Sequence, residues 1–112
     1  MEQSWSVLFY TDVHGNQPVA EFIDKREKRD QAKIAWYLDL LAEFGLDLKR
    51  PHVEPLRHGL WELRPGKCRL IYYVHTGRQI IVLHGVYKQT RKIPDRDIET
   101  AERRLADFLS RE

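Results

Sequence analysis

Between Leu60 and Tyr87 three apolar runs, Leu60–Arg64, Arg69–His75 and Gln79–Tyr87, are separated only by Pro65-Gly66 and by Thr76-Gly77. Gaps this short leave no room for a crossover helix, so neighbouring runs must pair antiparallel as a meander. The last run carries Ile80, Ile81, Val82 and Leu83 in succession, the pattern of a central strand covered on both faces for part of its length. Alternation puts Trp61 on the core side beneath helices and Glu62 on the opposite face.

The flanking segments supply the cover. Trp5–Tyr10 reads as a first strand ending in the polar group Thr11, Asp12 and His14-Gly15-Asn16. A helix follows, with Asn16 as cap, Pro18 in its first turn and Val19, Phe22 and Ile23 as its stripe. The charged segment Asp24–Asp30 is read as a turn between two helices. Ile34, Tyr37, Leu38, Leu41 and Phe44 recur at helical spacing, with Gly45 suited to end that helix. Lys49–Gly59 contains Pro51, Pro55 and Gly59 and is a connector with at most short regular structure. After Pro94, Asp95 or Asp97 can cap a last helix with Ile98, Ala101, Leu105, Phe108 and Leu109 as its stripe. Trp36, Phe44, Leu70 and Tyr72 are assigned to the core with Trp61. The prediction is an α+β fold: a small, mostly antiparallel sheet of about four strands, flanked by two N-terminal helices and one C-terminal helix.

A length of 112 residues predicts one domain spanning 1–112. The 42% hydrophobic content excludes a largely disordered chain. The lone Cys68 excludes an intramolecular disulfide framework and a thiolate zinc cluster. No signal-like segment and no membrane-length apolar run is present, so a cytoplasmic location without membrane association is expected.

The formal charge of +2 is unevenly spread. Residues 1–48 carry 5 basic and 9 acidic side chains, and residues 93–112 carry 4 and 6. Residues 49–92 carry 10 basic side chains against Glu54 and Glu62 alone, with four of the five histidines. That pattern faces an anion, either a nucleic-acid backbone or an acidic protein. Solvated strands and turns would produce it too.

Arg64 and Arg69 bracket the Pro65-Gly66-Lys67 turn, so antiparallel pairing brings both guanidiniums to one end of the sheet. There they can clamp a phosphate or pair internally with Glu62. His84-Gly85-Val86-Tyr87-Lys88-Gln89-Thr90-Arg91-Lys92 leaves the last strand and turns basic. Tyr87 can stack on a base or be a half-buried strand aromatic, and Gly85 can form a bulge or admit a close ligand. His84 can transfer protons near neutrality or serve as a hydrogen-bonded core histidine. No paired cysteines, His-Glu-x-x-His helix or clustered carboxylates call for a metal, and the phosphate-loop and dinucleotide glycine fingerprints are absent. No cofactor is expected. RNA cleavage without metal remains open through attack of a 2′-hydroxyl on its own phosphate.

Gly59-Leu60-Trp61-Glu62-Leu63-Arg64, then Arg69-Leu70-Ile71-Tyr72, then Val82 through Pro94 resembles, in that order, the RelE/HigB-like toxin superfamily, and more narrowly its phage-derived HigB-type branch. The resemblance implies a toxin of a type II toxin–antitoxin system, partnered by a helix-turn-helix antitoxin, that cleaves mRNA in the ribosomal decoding site. It implies catalytic roles for Arg69, which would hold the scissile phosphate, and for Arg64 and Lys88, with Tyr87 and the Arg91-Lys92 pair completing the site. His84 is added to the catalytic candidates by its own proton chemistry, and Lys67 and Arg57 join Arg91 and Lys92 as expected RNA contacts. Two positions depart from the best understood members: Glu62 stands where a lysine is frequent, and the C-terminal helix has no tyrosine matching the family's catalytic aromatic. The competing reading is a noncatalytic basic module that binds ribosomal RNA or an acidic partner.

Overall fold

A computed structural model describes residues 5–87 and 92–112. The elements are β1 (Ser6–Phe9), α1 (Pro18–Asp24), α2 (Lys28–Phe44), a short 3-10 turn (Gly45–Asp47), β2 (Val53–Pro55), β3 (Leu60–Leu63), β4 (Cys68–His75), β5 (Gln79–Tyr87) and α3 (Asp95–Ser110). The strands form one sheet in the order β1-β5-β4-β3-β2. The meander is present, with Leu63 opposite Leu70 and Val74 opposite Ile80. A fifth strand arises inside the expected connector, where Val53 pairs with Leu63. β1 joins the other edge parallel to β5, Val7 opposite Ile80, so the sheet is mixed.

Two apolar layers cover the sheet. On one face Val19 of α1 and Ile34 and Leu41 of α2 pack with Leu63, Leu70, Tyr72 and Val82, and Trp61 joins this layer as expected. On the other, Ile98 and Ala101 of α3 pack on Leu60, Ile71, Ile81 and Leu83. β5 is therefore covered from both sides, which is why its apolar residues are consecutive.

Several local expectations need correction. Gln17, not Asn16, occupies the N-cap of α1; the Asp12 carboxylate instead accepts the backbone N–H groups of His14 and Asn16 in the preceding turn. Pro94 occupies the N-cap of α3, and Asp95 and Asp97 lie in its first turn without a capping bond. Trp36, Phe44 and Leu109 are exposed rather than core. Trp36 lies off the buried Ile34–Leu41 stripe, and Phe44 and Leu109 fall at helix ends beyond the sheet's cover. Gly45 ends α2 with φ +50, and the Trp5 indole occupies the space a Cβ would fill.

An irregularity between Ile71 and Tyr72 sets the end of β5: Ile71 faces His84, whereas Tyr72 faces Val82. Leu83 is the extra residue, so Leu83 and His84 both turn toward α3. Gly85 then faces α1, where a Cβ would lie 2.5 Å from the Phe22 ring. The bulge therefore precedes Gly85, whose own space is taken by Phe22.

Candidate functional site

The β3–β4 turn and the strand register bring Arg64 and Arg69 together, as the sequence requires. Counting along the register, Glu62, Arg64 and Arg69 share the sheet face that carries α3, and Glu54 of β2 lies opposite Glu62 on that face. Glu62 Oε1 is 3.3 Å from Arg69 Nε and 3.5 Å from Arg64 Nε. Arg64 Nη1 reaches Glu54 Oε2 at 3.5 Å, and Arg50 Nε donates to the same oxygen at 2.7 Å. Two acids that would repel across β2 and β3 are thus interleaved with three guanidiniums.

Arg69 is 6% exposed and Glu62 8%. Arg69 Nη1 donates to the carbonyls of Gly66 and Cys68, both at 2.7 Å, which ties the guanidinium to its own turn. Among the described residues the buried Nε atoms of Arg64 and Arg69 face Glu62 at ion-pair distance without a hydrogen bond. Burial, then the charge of Arg64, lowers the Arg69 pKa, and Glu62 opposes that shift. Arg64 is more open, with its side chain 29% exposed.

His84 is on the same face but is held by α3. Arg104 Nη1 donates to His84 Nδ1 at 3.0 Å and to the Leu83 carbonyl at 2.9 Å. That leaves Nε2–H to donate to Asp97 Oδ1 at 2.8 Å, a neutral imidazole with both nitrogens engaged. Burial lowers its pKa from the ordinary value, with Asp97 pulling the other way.

Tyr87 is not with this group. It pairs with Cys68 and so projects to the α1/α2 face, 39% exposed, with Arg26 5.6 Å from its ring. Lys67 is exposed in the β3–β4 turn, and Lys92 is exposed ahead of the buried Ile93. Arg57 belongs to a separate cluster, reaching Asp95 at 3.3 Å and Glu102 at 3.4 Å, where His58 also pairs with Glu102. This cluster fastens the β2–β3 turn to α3. Lys88 and Arg91 lie outside the described residues. Burial pushes the Cys68 thiol pKa up, so the one cysteine is no ready nucleophile. Among the described residues no three metal-ligating side chains cluster, and no helix is long and apolar enough to cross a membrane.

Sequence reading missed the roles of Glu54, Asp97 and Arg104. The signal for Glu54 was available: the only two acids in a basic stretch fall on strands that pair beside its arginines. Nothing in the sequence marked Asp97 and Arg104 as the two clasps of one histidine.

A five-stranded mixed sheet with two N-terminal helices on one face and a C-terminal helix on the other defines an α+β protein whose arrangement is consistent with RelE-like folds. The family model described as Phage derived protein Gp49-like (DUF891) matches residues 21–106, and the chain belongs to that family. No curated protein matches it.

Proposed function

We propose that this phage-derived protein is the toxin of a type II toxin–antitoxin system: a RelE/HigB-type, metal-independent endoribonuclease that cleaves mRNA on the ribosome and is restrained by a helix-turn-helix antitoxin. The observation that carries this reading is Glu62 set between the guanidiniums of Arg64 and Arg69 on a face of the sheet. Self-cleavage of RNA needs a base for the 2′-hydroxyl and positive charge against the phosphorane. The cluster contains both. In the proposed step Glu62 takes the 2′-proton, O2′ bonds to phosphorus, and the P–O5′ bond breaks. Arg64, the more open of the two arginines, meets the phosphate first, and Arg69 stabilises the charge that develops. Lys88 is the proposed donor to the departing 5′-oxygen; His84, a neutral imidazole with both nitrogens held by Arg104 and Asp97, is a positioning contact between β5 and α3 rather than the acid. Lys92, Lys67, Arg57 and Arg91 are the proposed supporting RNA contacts.

The test is end mapping of mRNA on translating ribosomes with a chelator present. Wild type should leave a 2′,3′-cyclic phosphate upstream, and Glu62→Gln should slow cleavage by about 10²-fold or more, the scale of lost base catalysis. A plain 3′-hydroxyl product, or an undiminished Glu62→Gln rate, refutes the mechanism. The burial of Glu62 and Arg69, and the two bonds that tie Arg69 to the carbonyls of its own turn, favour the second reading, a noncatalytic basic module. Salt-sensitive binding to ribosomes with no cleaved RNA at protein excess would establish it.

A further inference from the structure

Cations without an internal acidic partner lie away from the arginine cluster. On the α3 face Arg64 and Arg69 share Glu62, Arg64 and Arg50 share Glu54, and Arg57 reaches Asp95 and Glu102. On the opposite face, at the end of the sheet where β5 leaves beside the β3–β4 turn, the pattern reverses. Arg26, in the turn between α1 and α2, makes no ion pair with any described residue; its Nε donates to the Phe22 carbonyl and its guanidinium lies over the rings of Phe22, at 4.6 Å, and Tyr87, at 5.6 Å. Lys33 of α2 runs past the same turn, its Cδ 3.6 Å from where a Cβ of Gly66 would be, and Lys67 extends from that turn. Neither lysine has an ion pair among the described residues. Asp30 is the acid of this corner, close enough to act on Cys68, and it pairs with none of them.

We propose that this corner, built from Arg26, Lys33, Lys67 and Tyr87, is a docking site for single-stranded RNA, one base stacking on the exposed Tyr87 ring and the flanking phosphates meeting the three cations. Tyr87 is held ready for a base, with Arg26 flanking its ring and its backbone fixed opposite Cys68. An aromatic face beside unpaired cations accepts any base and tracks a phosphate backbone. The inference deepens the ribonuclease reading, on which it rests: the strand would be gripped on the helical face at the sheet end and bend around that end toward Arg64 and Glu62.

The experiment measures binding of a short fluorescein-labelled 2′-O-methyl oligouridine by anisotropy. Its blocked 2′-oxygen permits binding and forbids cleavage. Tyr87→Leu should weaken binding about tenfold, the scale of one lost stack. Lys33→Glu should weaken it and flatten the log–log salt dependence by at least about 0.7, one phosphate contact. Arg96→Glu, an equal charge reversal on exposed α3, should do neither, and urea midpoints should show all three variants folded. Loss no greater than that of Arg96→Glu overturns the site while leaving ribonuclease activity to stand on its own assay. A wild type that neither binds this RNA nor cleaves mRNA overturns both readings. Binding of poly-glutamate in place of the RNA also overturns the site, assigning the corner to an acidic protein.

Discussion

Replacing Arg69 by Met separates the structural work of the charge cluster from its chemistry. The substitution removes the 3.3 Å ion pair to Glu62 and the two 2.7 Å bonds to the Gly66 and Cys68 carbonyls, at a residue 6% exposed. Gly66 is exposed, so water can replace the arginine there; the carbonyl of buried Cys68 and the carboxylate of Glu62, a residue 8% exposed, lose this guanidinium with no such replacement. Breaking a buried pair on one side costs about 3–5 kcal/mol. Arg64, 3.5 Å from the same Glu62 oxygen, keeps part of the compensation and sets the expectation at the low end, about 3 kcal/mol. That is a large share of the roughly 5–15 kcal/mol that holds such a chain folded. In urea, with a slope of about 1.5 kcal/mol/M, the midpoint should fall by about 2 M. Adding Glu62→Met should restore stability to within about 1 kcal/mol of wild type, because two apolar side chains of similar size need no partner. The double variant should be folded and yet unable to cleave RNA. A single variant within about 1 kcal/mol of wild type, or a double variant as unstable as the two losses summed, refutes the argument that Glu62 depends on Arg69.

Other expectations follow from the same geometry. Gly85→Ala drives a methyl group to 2.5 Å from the Phe22 ring and should cost about 1–3 kcal/mol in urea unfolding, partly recovered by adding Phe22→Leu. Leu41→Ala, at a fully buried site between α2 and the sheet, should cost about 2–5 kcal/mol by the same measurement. Burial disfavours the His84 imidazolium, and Arg104 and Arg103 add to that while Asp97 opposes it, so the folded protein binds this proton less readily than the unfolded chain. Its contribution to stability is therefore full above about pH 6.5 and is lost as pH falls through the lowered folded value. Urea midpoints compared on the two sides of that window should converge in His84→Gln. An unchanged pH slope in that variant would mean the imidazole is not the titrating group.

Much of this fold is legible in the residues because period and turn chemistry agree. The three runs after Gly59 and their two tight turns leave one pairing pattern, and the consecutive apolar residues of β5 require cover on both sides. Local periodicity carries no information about the partner of β1: Ser6–Phe9 is equally good as an antiparallel edge, and only the α1–α2 crossover makes it parallel to β5. The helix ends misled for a different reason. Asn16 and Asp97 are good caps in isolation, but Asp12 holds the turn that precedes α1, and Asp97 is taken up by His84. At the site, sequence brought Arg64 and Arg69 together through a turn of known hand. Nothing in the sequence separates Tyr87 from them: the face it takes depends on parity along β5, and the extra residue at Leu83 that sets this parity is not visible in composition.

The parallel pairing of Ser6 with Gln79 constrains how the molecule is made. Synthesis proceeds from the N-terminus, so β1 must wait, apolar and unzipped, until the intervening helices and strands have left the ribosome and β5 exists to receive it. The β3–β4–β5 unit has only near neighbours to find, and it provides the template on which the earliest residues are the last to lock. Severing the chain before Gln79 would therefore strand β1 as well as remove every residue downstream of the cut.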